Sequence, residues 1–137
     1  YIGMGGRLDT IQAAILLVKL PHYRQELEGR QLVAQCYADT LSDSLQTPVI
    51  RPNRSSAWAQ YTVRVNNRDT LQAKLKDNGI PTAVHYPMPL HLQECFKYLN
   101  YKQGDFPITE QASEEVMSLP MNPYVSNEEI KYIGEMV

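Results

Sequence analysis

A glycine-rich turn at the start of the sequence carries the first residue with recognisable binding chemistry, Arg7. Gly3, Gly5 and Gly6 precede it, and the segment leads directly into a helical pattern. Glycines let a backbone approach a ligand closely, and the start of a helix offers unpaired N–H groups and positive potential. The guanidinium of Arg7 adds planar donors that match a carboxylate or a phosphate. These features predict an anion site, although a glycine linker with a surface arginine would explain the same residues.

A second candidate site is the segment His85-Tyr86-Pro87-Met88-Pro89, which follows a run with strand character. Prolines fix their own φ angle and lack a backbone donor, so they hold such a loop in one shape. His85 and Tyr86 would then present an imidazole and a phenol at fixed positions, where they can bind a polar ligand. The alternative is a rigid loop with a hydrogen-bonded histidine and a packed tyrosine.

The rest of the sequence predicts no catalytic residue and no metal site. None of the six lysines lies in a segment that would desolvate and activate it. They are Lys19, Lys74, Lys76, Lys97, Lys102 and Lys131. No acidic or thiol ligand stands at metal-site spacing around His85 and His91. Cys36 and Cys95 are isolated from each other, which predicts buried free thiols in a reducing cytoplasm.

Two helices of different character are predicted ahead of these loops. Asp9 can cap the first, whose apolar residues between positions 11 and 20 run nearly all the way round, so it should be buried on most sides. Pro21 fits the first turn of the second, in which Glu26 and Arg30 are spaced to pair on an outer face. One apolar stripe marks the inner face of this second helix: Leu27, Val33, Ala34, Tyr37 and Leu41.

The remaining elements predict a small sheet. Alternation of period two indicates a half-buried strand over residues 59–65, and residues 80–84 indicate a second one after an intervening helix. A short strand is predicted over residues 118–121, and a Ser126–Glu129 capping box opens the last helix. This order predicts an α+β fold, with long helices packed on a small, mostly antiparallel sheet.

Bulk properties exclude some classes of partner. A formal net charge of −2 over 137 residues offers no basic stripe for a nucleic acid. No apolar run approaches the roughly 18 to 20 residues that a membrane span needs, so we expect no membrane partner. The chain opens at Tyr1 and closes inside a helical pattern, from which we expect it to be part of a longer polypeptide.

Several segments resemble the DegT/DnrJ/EryC1/StrS family of nucleotide-sugar aminotransferases, which depend on pyridoxal 5'-phosphate (PLP) and have the fold type I, aspartate-aminotransferase-like architecture. They are RLDTIQAAILLVKL, AQYTVRV, PTAVHYPMPLHLQ and GDFPITEQASEEVMSLPMNPY, in this order. The resemblance covers essentially the whole chain. Within the family, the sequence is most similar to enzymes that aminate C3 of a UDP-linked 3-keto uronic acid for surface polysaccharide such as lipopolysaccharide.

The resemblance implies that residues 1–137 form the C-terminal small domain with the helix leading into it, and that the large PLP-binding domain with the Schiff-base lysine is absent. Such enzymes move an amino group from glutamate to a UDP-linked keto sugar, and they are homodimers with shared active sites. Arg7 would bind the uronate carboxylate across the dimer interface. His85 and Tyr86 would line the sugar pocket of their own subunit.

One departure and two alternatives accompany this resemblance. Gly5 stands where the family usually has an asparagine that contacts the cofactor phosphate, so we assign no cofactor-binding residue. The first alternative is a PLP-dependent keto-sugar dehydratase of the same family, in which histidine replaces the Schiff-base lysine. The second is a non-catalytic module that binds a small anion through a strand–helix–strand unit over residues 59–84.

Overall fold

The computed structural model describes residues 8–137, in which five α-helices and two β-strands form an α+β fold, as predicted. The helices are α1 (Thr10–Lys19), α2 (Tyr23–Leu41), α3 (Arg68–Asp77), α4 (Pro107–Glu115) and α5 (Asn127–Met136). The strands are β1 (Tyr61–Arg64) and β2 (Val116–Leu119). Short 3-10 segments occupy Leu20–His22, Leu90–Leu92 and Glu94–Leu99.

Local signals in the sequence place the starts of α1 and α5 correctly. The Asp9 carboxylate accepts a hydrogen bond from the Gln12 amide at 2.8 Å and caps α1. At α5, the Ser126 hydroxyl accepts from the Glu129 amide while the Glu129 carboxylate accepts from the Ser126 amide. Each cap satisfies amides that a helix end leaves without a partner, which is why these short motifs are reliable.

The sheet contains β1 and β2, paired antiparallel with Thr62 opposite Ser118. The strand predicted over residues 80–84 is wrong, because only Ala83 pairs, in a single bridge to Ser118. Pro81 cannot donate to a ladder, and the prolines that follow His85 prevent the pairing from extending. The strand–helix–strand unit of the anion-binding alternative therefore does not form, since β1 pairs with a strand that follows α4.

The core lies between α2, the sheet and α5. The predicted stripe of α2 is confirmed, since its members from Val33 to Leu41 are buried and only Leu27 is half-buried. Tyr37 stacks on Tyr61 of β1 with ring centroids 4.8 Å apart. Fully buried side chains complete the core: Tyr37, Leu41, Tyr61, Val63, Leu75, Met117 and Ile130.

Arg30 does not form the predicted surface pair with Glu26. Its Nη1 atom donates to the carbonyl oxygen of Trp58 at 2.8 Å and lies 3.4 Å from that of Met121. A charge-assisted hydrogen bond to a partly buried carbonyl contributes more stability than an exposed ion pair along a helix. The Arg30 guanidinium therefore binds the loop before β1. Arg30 thus fastens two loops to α2.

Helix α1 contributes nothing to this core. None of its residues is buried, and its side chains are exposed by as much as 75% at Ile11 and 72% at Leu17. The burial predicted for it does not occur within residues 8–137. No helix in that range is long and apolar enough to cross a membrane.

Candidate functional site

The loop that carries His85 and Tyr86 leaves the sheet immediately after the Ala83 bridge. His85 is half-buried, whereas the Tyr86 side chain is 71% exposed. Their rings meet edge to face, with centroids 5.6 Å apart. The sequence therefore placed both side chains correctly on one irregular loop, with the imidazole nearer the sheet and the phenol towards solvent.

Ser118 lies beneath His85 and anchors the start of the loop. Both backbone polar groups of Ser118 pair with Ala83, at 2.7 and 3.1 Å. The Ser118 hydroxyl oxygen lies 3.3 Å from Nδ1 of His85 and 2.9 Å from the Thr62 hydroxyl oxygen. These three polar side chains form a continuous hydrogen-bonded row from β1 through β2 to the loop.

His91 anchors the other end of the loop to α4. Its Nε2 atom lies 3.0 Å from a carboxylate oxygen of Glu110, and its ring packs on Phe106 with centroids 4.8 Å apart. Glu110 also accepts hydrogen bonds from the Gly104 and Phe106 amides. Desolvation raises the pKa of Glu110, but the bonds from Gly104, His91 and Phe106 outweigh it and hold that pKa below its usual value.

Between these two anchors the loop presents a mixed surface. Tyr86, Met88 and Leu90 are all exposed there, while Pro89 is buried. An imidazole, a phenol and apolar side chains on a loop held at both ends can bind and orient a polar ligand with a hydrophobic face. Within residues 8–137 the hydrogen-bond partner of the His85 side chain is the Ser118 hydroxyl.

Other residues named from the sequence lie elsewhere. Arg7 and Gly5 lie outside the residues that the structure describes. Sequence reasoning missed Ser118, Thr62 and the His91–Glu110 pair. Thr62 lies on the polar side of the predicted strand, but only the register of β1 against β2 shows that it faces Ser118.

Within residues 8–137 every lysine of the chain is exposed: Lys19, Lys74, Lys76, Lys97, Lys102 and Lys131. A lysine that binds PLP covalently is desolvated and enclosed, an environment that none of them has in the described residues. Residues 8–137 also contain no cluster of three His, Cys, Asp or Glu side chains that could hold a metal ion. Cys36 and Cys95 are free but half-buried, rather than buried as predicted.

The fold and the sequence together define the class of protein. A family model described as the DegT/DnrJ/EryC1/StrS aminotransferase family matches residues 1–137. The chain belongs to this family. The resemblance inferred from its motifs is thereby confirmed.

Individual relatives narrow the comparison. The chain is 46% identical over 133 residues to a Pseudomonas aeruginosa protein named UDP-2-acetamido-2-deoxy-3-oxo-D-glucuronate aminotransferase, covering 96% of this chain and 36% of that protein. It is 43% identical to the pleiotropic regulatory protein of Geobacillus stearothermophilus, and the match covers 99% of this chain and 38% of that protein. The crystal structure of a DegT DnrJ EryC1 StrS aminotransferase from Brucella abortus superposes with a TM-score of 0.87 at 41% identity, covering 98% and 36%. The chain thus spans little more than a third of the length of these relatives.

Proposed function

We propose that the full-length protein is a cytoplasmic, PLP-dependent aminotransferase that moves an amino group from glutamate to a UDP-linked keto sugar. The observation that carries this proposal is the anchored His85–Tyr86 loop in a chain 46% identical to an aminotransferase named for a UDP-linked 3-oxo-glucuronate. The sugar we propose is accordingly a 3-keto uronic acid, and its amination serves surface polysaccharide biosynthesis.

Residues 1–137 are, in this proposal, the C-terminal small domain with its leading helix. Two observations support the assignment: the chain spans 36% of its P. aeruginosa relative, and α1 exposes apolar side chains on nearly every side. Such a helix needs covering surface, which the large domain and the second subunit of a homodimer would supply. The large domain would also hold PLP, which carries the amino group between donor and acceptor.

Within this scheme the chain binds the substrate rather than performing the chemistry. His85 hydrogen-bonds an oxygen of the sugar, and Tyr86 packs its ring on the sugar and offers its hydroxyl. Arg7 binds the uronate carboxylate in the partner's active site, as the resemblance implies. A planar guanidinium suits a carboxylate because two parallel hydrogen bonds can form.

Binding and kinetics of full-length variants test these roles. Arg7→Ala should cost about 1.5 to 3 kcal/mol in uronate recognition, the value of a hydrogen bond to a charged group. His85→Ala should weaken binding of the uronate and binding of its neutral 6-hydroxymethyl counterpart to the same extent. Arg24→Ala, at an exposed position of α2, is the matched control. If Arg7→Ala leaves discrimination between the two sugars unchanged, Arg7 has no such role.

The domain assignment has its own test on α1. Leu17→Asp places a charge on the exposed apolar face, so it should reduce self-association of the 137-residue chain. In the full-length protein it should disrupt the homodimer or lower its stability, because the charge would be buried unpaired. Sedimentation velocity of the 137-residue chain and of the full-length protein, each with and without Leu17→Asp, measures the change in association. A full-length variant that remains a stable dimer would contradict the proposed burial of α1.

The dehydratase alternative depends on one residue of the full-length protein. Histidine at the Schiff-base position would favour it over the aminotransferase. Transfer of the amino group from glutamate, followed as formation of 2-oxoglutarate, would exclude it.

A further inference from the structure

We propose that Ser118, supported by Thr62, is a positioning residue that holds His85 by Nδ1 and so directs Nε2 towards the nucleotide sugar. The inference rests on the proposed function, because it specifies how the same loop recognises its substrate. Ser118 touches no substrate itself, and it acts through the imidazole.

The backbone pairing of β2 explains why Ser118 and Thr62 are so close. Since the amide and carbonyl of Ser118 both bond to Ala83, they point away from β1. Ser118 and Thr62 therefore form the non-hydrogen-bonded type of antiparallel pair, in which opposing side chains approach most closely. The hydroxyl–hydroxyl distance of 2.9 Å follows from this register.

The same pairing also fixes where His85 leaves the sheet. Ala83 is held to Ser118 by two backbone hydrogen bonds, and His85 is two residues further along the chain. In an extended segment, residues two apart project to the same side. The side chain of His85 can then return to the hydroxyl of the residue that holds Ala83.

Burial gives the hydroxyl its positioning value. Ser118 is 5% exposed, so water competes poorly for its hydroxyl, and its partners are Thr62 and His85. The Ser118 hydroxyl can hydrogen-bond Nδ1 of His85 whether it donates to the Thr62 hydroxyl or accepts from it. Nε2 of His85 has no protein partner within residues 8–137. The hydrogen bond at one ring nitrogen of a histidine determines which tautomer the other presents. At 3.3 Å the bond to Nδ1 is long, as hydrogen bonds in binding and catalytic sites often are before substrate binds.

The test uses the full-length protein, with Kd of the nucleotide sugar measured by calorimetry and KM and kcat measured separately. Ser118→Ala should raise Kd and KM about 3- to 10-fold, the loss expected of one neutral hydrogen bond, with kcat little changed. Thr62→Val should act in the same direction with a smaller effect, and Thr62→Ser should restore binding. The double variant His85→Ala/Ser118→Ala should bind no worse than His85→Ala, because the serine acts through the histidine.

Ser113→Ala is the matched control for loss of a buried hydroxyl. Ser113 is 9% exposed and donates to the Glu110 carbonyl at 2.7 Å, on α4. It should change stability without changing sugar affinity.

The outcomes separate this inference from the proposed function. Normal affinity in both Ser118→Ala and Thr62→Val, with weak binding in His85→Ala, overturns the inference and leaves the function standing. Additive losses in the double variant also overturn it. Unchanged affinity in His85→Ala overturns both the assignment of His85 and the inference, whereas failure of the wild-type protein to transfer an amino group from glutamate overturns the function itself.

Discussion

Helices α1 and α2 follow each other in the chain, yet the more apolar helix, α1, is the less buried of the two. Helix α1 carries apolar residues on nearly all of its sides, and none of its side chains is buried. Helix α2 is polar on average, and it contributes Val33, Ala34, Tyr37 and Leu41 to the core. Burial therefore follows the arrangement of apolar residues and the surfaces available, rather than their number.

This difference shows which helix the described domain needs. A single apolar stripe is sufficient where the sheet and α5 provide one facing surface. Apolar residues on every side are useful only where surfaces approach from several directions. Helix α2 serves the interior of the described residues, whereas the interface that we propose for α1 lies outside residues 8–137.

Truncating one leucine in each helix should produce the largest contrast. Leu41 is 0% exposed, so Leu41→Ala should destabilise the 137-residue chain by about 2 to 5 kcal/mol through lost burial and a cavity. Leu17→Ala, at 72% exposure, should change the unfolding free energy by less than about 0.5 kcal/mol. Urea denaturation at equal, low protein concentration measures both. Equal losses would mean that α1 packs within the chain, and the comparison would fail.

Adding a methyl group should also distinguish the helices, with a smaller effect. A Cβ at Gly29 of α2 would lie 2.9 Å from the Pro123 Cβ and 3.1 Å from its carbonyl oxygen. Overpacking costs about 1 to 3 kcal/mol, and the helix propensity of alanine over glycine returns about 1 kcal/mol, so Gly29→Ala should be destabilising on balance. Ala14→Leu, at an exposed position of α1, is the matched control in the same denaturation experiment. A Gly29→Ala variant more stable than wild type would show that Pro123 moves to accommodate the methyl group at little energetic cost.

The contrast also shows what the sequence can and cannot predict. The stripe of α2, the Asp9 cap and the Ser126–Glu129 capping box were predictable because each depends on residues a few positions apart. The partner of Arg30 was not, since the Trp58 carbonyl lies 28 residues away and only the folded loop presents it. The strand over residues 80–84 failed because its apolar pattern outweighed the flanking prolines.

The candidate site divides along the same line. His85 and Tyr86 are neighbours in the sequence and could be recognised there. Their anchors, Ser118 and Glu110, are 33 and 19 residues from the histidines that they hold. No spacing rule connects such positions, because the register of the sheet and the docking of α4 decide them.

Acid should destabilise the packed part of the chain, where hydrogen bonds hold several carboxylates. Glu110, Glu115 and Glu129 all have a pKa below the usual value, and hydrogen bonds outweigh desolvation in each case. A pKa that is lower in the folded state gives stability that is present above the unfolded value, about 4.3, and is lost as the pH falls through the folded value.

Glu110→Gln should therefore lose less stability than wild type when the pH falls from 6 towards 3. Glutamine cannot be protonated in this range, and its amide oxygen still accepts a hydrogen bond from the Gly104 amide. Melting temperatures of the 137-residue chain across this range measure the effect, and Glu114→Gln, at an exposed neighbouring position, is the control. A wild-type acid dependence retained in full by Glu110→Gln would show that this carboxylate does not couple the loop to α4 through its charge. Protection by Glu110→Gln and not by Glu114→Gln would assign part of the acid sensitivity to the anchor of His91, which lies at the opposite end of the loop from Ser118.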